Sequence, residues 1–161
     1  MRHIIKFFYS IFSVMLTGYI CSAFTDMGLK RWYDGIEKPF LTPPNVIFPI
    51  VWSVLYILIA ASTFIVLCEA DSFHRKKINN IFILQLFLQI LWSFIFFAQG
   101  HLGLGFAVIL LLDICVFKMI ALYSKVNKTV SYILYPYYWW LIFATFLNFN
   151  FIYNLGLIIV F

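Results

Sequence analysis

The stretch Trp32–Trp52 reads WYDGIEKPFLTPPNVIFPIVW and separates two long apolar segments of the chain. Four of the five prolines lie in it, at positions 39, 43, 44 and 49. Proline fixes its own φ angle, lacks a backbone N–H donor and favours extended geometry in the residue before it. We therefore predict a stiff, non-helical segment over Lys38–Pro44. A helix should follow, with Asn45 as its N-cap and Pro49 in or just after its first turn.

The segments on both sides of this loop are apolar enough for a membrane. Hydrophobic residues make up 65% of the chain and charged residues 11%, whereas soluble domains are about half apolar and a quarter charged. A helix crosses a bilayer with about 20 mainly apolar residues. The runs that contain no Asp, Glu, Lys or Arg are Phe7–Thr25, Pro39–Cys68, Ile78–Leu112 and Thr129–Phe161.

These runs predict an all-α membrane protein, a five-transmembrane-helix bundle, with residues 1–161 forming a single domain. The helices are expected at about 5–25, 45–68, 78–98, 106–123 and 130–153. The first loop is then 26–44. A basic N-terminus before an apolar run is also typical of a signal peptide, but this run is long enough to span, so we expect the first helix to be retained.

The net charge of +5 is better explained by basic residues that orient the protein in a membrane than by nucleic-acid binding, because these residues flank apolar runs and form no basic face. Five spans put the two termini on opposite sides. The positive-inside rule then predicts a cytoplasmic N-terminus, as in a multi-pass protein of a bacterial inner membrane. One side holds Arg2, Lys6, Arg75, Lys76, Lys77, Lys118, Lys125 and Lys128, and the other holds Lys30, Arg31 and Lys38.

Helical spacing places aromatic rings and uncharged hydrogen-bonding groups on common faces. Facing one another, such stripes would line a pocket for a flat, hydrophobic ligand. The alternative is ordinary helix packing, with polar side chains bonding between helices and rings forming an interfacial belt. The stripes are Pro49, Trp52, Tyr56, Ala60 and Thr63 on the second helix; Gln85, Gln89, Trp92, Ser93 and Phe96 on the third; Tyr137, Trp140, Ala144 and Asn148 on the fifth.

Asp113 is the only acidic residue inside a predicted span, and intramembrane acids are often functional. It could serve the substrate site of a proton-linked transporter, or it could be a satisfied acid between helices with Lys118 as an imperfect partner. In the loop, Lys38 could pair with Glu37 or meet a ligand carboxylate at the pocket mouth.

The remaining reactive residue types predict no catalytic or metal site. Cys21, Cys68 and Cys115 lie far apart, and His101 has no second ligand nearby in the sequence, so no metal is expected. The chain contains no motif of a hydrolase, kinase or dehydrogenase.

Ordered motifs along the whole chain resemble the TspO/translocator-protein family, also called the peripheral benzodiazepine receptor family. The loop carries Trp32-Tyr33, Lys38-Pro39 and Pro43-Pro44, and the second helix carries Pro49, Trp52 and Leu55-Tyr56. The third helix carries Gln85-Leu86, Trp92-Ser93 and Phe96-Phe97. The fifth carries Tyr135-Pro136-Tyr137, Trp140, Phe143-Ala144-Thr145 and Leu147-Asn148.

The resemblance implies a five-helix bundle whose first loop covers a pocket. It implies ligands such as protoporphyrin IX, haem, sterols and isoquinoline- or benzodiazepine-type compounds, a homodimer in the lipid bilayer, and no cofactor apart from a porphyrin or haem bound as ligand. The implied ligand-binding residues are Tyr33, Pro44, Trp52, Tyr56, Gln89, Trp92, Ser93, Trp140 and Ala144. The implied lid residues are Trp32, Lys38, Pro39 and Pro43.

Three functions are compatible with this resemblance. The first is tetrapyrrole binding in porphyrin transport, sensing or removal. The second is light- and oxygen-dependent breakdown of protoporphyrin, for which Trp52 and Trp140 would be the catalytic pair. The third is a proton-linked small-molecule transporter that uses Asp113.

The chain also departs from the family pattern. Gln89 stands where many members have Asn, and the family's helix-4 Asp falls near Val108, so Asp113 is not its direct equivalent. Tyr153 is followed by no basic residue, which argues against the sterol motif of an aromatic residue followed by Lys or Arg.

Overall fold

The computed structural model describes residues 2–36, 38 and 41–154. Five helices in it are long and apolar enough to cross a membrane. They are α1 (Arg2–Arg31), α2 (Ile47–Glu69), α3 (Ser72–Ser93, continued by a π-helical turn Phe94–Ala98), α4 (Leu102–Ser124) and α5 (Lys128–Asn154). The described residues contain no β-strand. The predicted all-α, five-helix membrane fold is therefore confirmed.

The helices close into a ring in the order α1, α2, α5, α4, α3. The closest pairs are α3 with α4, α1 with α2 and α4 with α5, while α1 also contacts α3 and α2 contacts α5. Most of the buried core lies among α2, α3, α4 and α5, where Ile59, Phe82, Leu112 and Tyr123 are sealed from the surroundings. The fold thus leaves α1 as the helix that closes the bundle on one side.

The first helix is longer than the charge pattern predicted. We expected it to end near position 25, with a loop over 26–44, but α1 continues to Arg31. Lys30 donates to Asp26 at 2.6 Å, one helical turn earlier, and such pairs stabilise exposed helix ends. The loop therefore begins at Trp32, and the prediction that it begins at 26 is wrong.

The other helix starts also differ from the expected positions. Asn45 does not cap α2: its side chain donates to Asp34 at 2.9 Å instead, and α2 starts at Ile47 without a side-chain cap. The third helix starts at Ser72 rather than 78, because the Asp71 carboxylate caps it by accepting from the His74 N–H at 2.7 Å. Asn127 caps α5 in the same way.

The glycine-rich segment between α3 and α4 is shorter than expected. We predicted the fourth helix from about 106, but α4 begins at Leu102 and includes Gly105. Gly105 packs closely against Phe96 and Asn148. Helix packing therefore outweighs the low helix propensity of glycine here.

Candidate functional site

A cavity of about 940 Å³ lies between α1, α2, α3 and α5, beneath the loop that follows α1. Of the described residues, none from α4 lines it. Its volume is at the upper end of the range of about 300–1,000 Å³ typical of ligand pockets. The predicted ligand-binding residues on its wall are Tyr33, Trp52, Tyr56, Gln89, Trp92, Ser93, Trp140 and Ala144.

Pro44 is the one predicted ligand-binding residue that is absent from this wall. It is exposed, and its carbonyl accepts from the Ile47 N–H at 2.9 Å, where α2 begins. Pro43 lies partly buried beside it, whereas the predicted lid residue Pro39 lies outside the described residues. In the structure Pro44 shapes the start of α2 and does not line the cavity.

Aromatic rings form the wall of the cavity on α2 and α5. The Trp52 and Tyr56 rings stack with centroids 5.5 Å apart, and Trp52 meets Tyr137 edge to face at 6.3 Å. Trp140 packs against Phe48 at 6.0 Å. The two tryptophans are both only partly buried, so each exposes part of its indole to the cavity.

A hydrogen-bond network supports this aromatic wall from behind. The Gln89 amide Nε2 donates to the Tyr56 hydroxyl at 2.9 Å. The Tyr137 hydroxyl donates to Gln85 Oε1 at 2.9 Å and approaches Gln89 Oε1 at 3.4 Å. Because an amide carries two N–H groups, Gln89 can hold the Tyr56 ring in place and still offer one N–H to a ligand.

The first helix forms a wall that the sequence analysis did not assign to the site. Gly18, Cys21, Ser22 and Thr25 of α1 line the cavity, and a Cβ atom at Gly18 would lie 2.7 Å from the Tyr56 ring. Ser93 of α3, which also lines the cavity, donates to the Cys21 carbonyl at 3.1 Å. The sequence signal for this wall is the helical spacing of these small residues, which is less distinctive than a stripe of large rings.

An anchor cluster of packed rings, formed by Trp32, Tyr33, Trp92, Phe96, Phe97 and Phe151, holds the loop above the cavity. The Trp32 indole N–H donates to the Phe97 carbonyl at 2.8 Å, on the π-helical turn. It also lies against Gly100, whose φ of +71° belongs to the left-handed region that favours glycine. The predicted lid residue Trp32 is thus fixed to α3.

Trp92 belongs to both the anchor cluster and the cavity wall. Its ring stacks on Phe96 with centroids 5.4 Å apart. With the Asn148 amide oriented to satisfy both its neighbours, the Trp92 indole N–H donates to Asn148 at 3.3 Å and Asn148 donates to the Leu102 carbonyl at 3.1 Å. Trp92 is therefore a fixed part of the wall.

Polar side chains of the loop form a second closure, a polar clasp of Asp34, Lys38 and Asn45. Lys38 donates to Asp34 at 2.9 Å, Asn45 donates to Asp34 at 2.9 Å, and the Lys38 ammonium lies 4.8 Å from the Tyr33 ring centre. These hydrogen bonds lower the pKa of Asp34, and burial raises the pKa of Tyr33 to about 12. Lys38 is thus paired with Asp34, while Glu37, its expected partner, lies outside the described residues.

Asp113 is separate from the cavity. It is buried between α4 and α5, where it accepts from the Thr145 hydroxyl at 2.7 Å, and it does not line the cavity. In the described part of the chain it forms no ion pair, with Lys118 or any other cation. The geometry therefore gives no support to Asp113 as part of a substrate site.

A metal centre has no basis in the described ranges, which contain no group of three or more His, Cys, Asp or Glu side chains that could hold an ion.

Together, the ring of five spans and the lidded aromatic cavity define an integral, multi-pass helical membrane protein with a candidate site for an apolar ligand.

Comparison with known proteins gives the family. Residues 10–154 match the TspO/MBR family, and the chain belongs to it. It is 37% identical over 147 residues to the tryptophan-rich protein TspO of Archaeoglobus fulgidus, covering 91% of this chain and 95% of that protein. It is 32% identical over 144 residues to protein CrtK of Rhodobacter capsulatus, covering 88% and 90%. It is 31% identical over 121 residues to the human translocator protein, covering 74% and 72%.

Proposed function

We propose that this protein binds a tetrapyrrole, such as protoporphyrin IX or haem, within the membrane and acts in porphyrin transport, sensing or removal. The observation that carries the proposal is the lidded cavity of about 940 Å³ with the stacked Trp52–Tyr56 pair on one wall and Trp140 on another. Flat aromatic ligands gain from stacking on such rings. The spare N–H of Gln89 can orient a ring nitrogen or carbonyl.

The same cavity would accept other flat, apolar compounds, such as sterol-like or isoquinoline- and benzodiazepine-type ligands. We favour a tetrapyrrole because the aromatic residues that line the cavity beneath the loop come from α2, α3, α5 and the loop itself, which suits a ring system wider than a drug-sized molecule. Three exposed residues at the lid end of α1, Lys30, Arg31 and Asp26, leave that mouth polar.

We also propose the orientation, the membrane and the assembly. The end of the bundle that carries Lys6, Arg75, Lys76 and Lys77 faces the cytoplasm by the positive-inside rule, which puts the lid and the cavity mouth on the opposite side of a bacterial inner membrane. A homodimer would form through lipid-facing helix surfaces. A reporter fused at the N-terminus that proves accessible from outside would overturn this orientation.

A second candidate function is light- and oxygen-dependent breakdown of the bound porphyrin. One observation favours it: Trp52 and Trp140 both line the cavity, so a ligand there would be in contact with two oxidisable indoles. In this function molecular oxygen is the oxidant and the porphyrin ring is oxidised.

The test is a titration of the purified protein with protoporphyrin IX in the dark, followed by tryptophan emission. We expect saturable quenching, and we expect Trp52→Ala to weaken binding by about 2- to 12-fold, the range for an aromatic stacking contact. Trp139→Phe is the matched control, because Trp139 is 65% exposed and absent from the cavity wall. Unchanged emission in the wild-type protein would contradict the proposal.

Illumination of the same samples in air separates the second function from the first. Breakdown should appear as loss of the porphyrin absorption band beyond that of protein-free vesicles. Trp52→Phe and Trp140→Phe should stop the loss and preserve binding in the dark. If both variants lose the porphyrin band as fast as the wild-type protein does, catalysis by the tryptophan pair is excluded and the binding function is unaffected.

A further inference from the structure

The cavity consists of two regions of different chemistry. Beneath the loop, its walls come from α1, α2, α3 and α5 and carry the aromatic rings and polar groups described above; we call this region the chamber. Toward the basic end of the bundle, its walls come from α1 and α2 alone; we call this region the slot. The slot is lined by Phe7, Ile11, Val14, Met15, Ile57, Ala60, Ala61, Phe64 and Ile65.

The slot is long, uniformly apolar and continuous with the chamber. All of its lining side chains are apolar. The slot begins near Gly18, where α1 touches the Tyr56 ring, and extends to Phe7. The length of α1 between these two residues is about 16 Å at 1.5 Å per residue. Phe7 and Phe64 meet edge to face at 5.5 Å and close its far end. A rigid macrocycle in the chamber would leave this space unfilled.

The slot is also open toward the bilayer. Met15 and Ile57 line it and are each 67% exposed, so its outer side faces the hydrocarbon between α1 and α2. A flexible hydrocarbon chain could enter sideways there, without a polar group having to cross the apolar walls.

The charges of the chamber point to an esterified ligand. Among the described residues on the cavity wall there is no Lys, Arg or His, and Asp26 is the one charged side chain. Near the mouth, Lys30 is paired with Asp26 and Lys38 with Asp34, and Arg31 is exposed at the end of α1 and does not line the cavity. Burying a carboxylate without a partner costs several kcal/mol, so the free carboxylates of a porphyrin would be poorly matched to these walls.

We propose that the preferred ligand is a tetrapyrrole esterified with a long isoprenoid or alkyl chain, with its ring in the chamber and its chain in the slot. This inference rests on the proposed tetrapyrrole function and specifies its substrate class. The two regions then bind the two parts of one amphiphile.

The experiment compares three probes that share one ring: protoporphyrin IX, its dimethyl ester, and its methyl hexadecyl diester. Each is titrated against the protein in nanodiscs of one lipid. We expect the hexadecyl diester to bind most tightly. In Ala61→Phe, which fills the slot, its affinity should fall by about fivefold or more, because the chain loses its packing contacts with the slot walls and returns to the lipid. The dimethyl ester should change by less than about twofold. Comparing each probe between variants cancels its partitioning into lipid.

Ala23→Phe is the matched control, because Ala23 is exposed on α1 and does not line the cavity; it should leave all three affinities unchanged. An equal loss for both esters in Ala61→Phe, or no loss for the hexadecyl diester, would overturn the assignment of the slot. Tighter binding of the free diacid than of the dimethyl ester, after each affinity is corrected for the probe's partitioning into protein-free nanodiscs, would overturn the charge argument. Failure of all three probes to bind wild-type protein would instead contradict the proposed function itself.

A second measurement does not depend on how well the variant folds. A hexadecyl diester with a diazirine at the end of its chain, photolysed in the wild-type protein, should label the segment Phe7–Val14 or residues near Phe64. Labelling confined to the lid loop or to α4 would contradict the placement of the chain.

Discussion

The anchor cluster and the chamber are built from the same residue types. In the first, rings pack against one another, and in the second, rings face the cavity. In the anchor cluster, Phe96 and Phe151 pack against each other away from the cavity and are each at most 3% exposed. In the chamber, Trp52 and Trp140 keep one side open to the cavity. Aromatic content therefore does not distinguish a packed core from a binding site.

The difference lies in how closely the helix backbones approach. A Cβ atom at Gly28 would lie 2.7 Å from the Phe97 carbonyl oxygen, so α1 touches the π-helical turn backbone to backbone and the rings there fill the remaining space. Lower on α1, between Gly18 and Phe7, only α2 faces the cavity and no third helix closes it. The backbone contact fixes the lid end, whereas the lower part of the cavity is lined, among the described residues, by α1 and α2 alone.

The largest effect should come from removing a ring of the anchor cluster. Phe151→Ala should lower the free energy of unfolding by up to about 3–5 kcal/mol, the cost of a buried Phe→Ala change. The lower end is expected because lipid does not penalise exposed apolar groups as water does. Thermal unfolding in detergent micelles measures this. Phe149→Ala, 47% exposed on the same helix, is the control and should change stability little; similar losses in both would mean that the cluster is not a special anchor.

A smaller effect should follow from separating α1 from the π-helical turn. Gly28→Ala should cost about 1–3 kcal/mol of stability, the usual cost of overpacking, because the new methyl group meets backbone atoms that cannot move aside. Gly35→Ala is its control, since nothing lies within 4 Å of a Cβ atom there. Ligand dissociation should also become faster in Gly28→Ala, because the loop loses its fixed base. Identical melting curves for the two variants would refute the close approach.

The smallest effect concerns the polar clasp, which is exposed. The Lys38 and Asn45 hydrogen bonds lower the Asp34 pKa, so the clasp is complete above the ordinary aspartate pKa of about 3.9 and is lost as the pH falls through the lower folded value. Titration of Asp34 should therefore not change the rate of ligand dissociation between about pH 5 and 8, and the rate should rise only in stronger acid. Stopped-flow fluorescence measures this rate. Asp34→Asn, which cannot titrate, should abolish the acid dependence of dissociation; a variant that keeps it would place the titrating group elsewhere.

Individual residues show how far sequence reasoning reached. The stripes on α2, α3 and α5 predicted Trp52, Gln89 and Trp140, because helical spacing and side-chain type are properties of the sequence, and these residues do line the cavity. Their roles in binding remain predictions. Pro44 does not line the cavity, because a proline motif marks a loop and does not indicate which of its residues face the space beneath it.

The α1 wall and the orientation of Asn45 could not be read in this way. Gly18 and Cys21 become wall residues only because α2 and α3 pack beside them. The Asn45 side chain donates a hydrogen bond to Asp34, eleven residues away, although its position in the sequence is that of a helix cap.

The sequence by itself determined that this chain has five apolar spans and a proline-rich first loop, since span length and proline content follow from local chemistry. It also carried the family motifs. Only the tertiary structure decided which rings pack together and which face empty space, because that depends on the distances between helix backbones. The division of the cavity into an aromatic chamber and an apolar slot arises in the same way, from α3 and α5 lining its upper half and not its lower half.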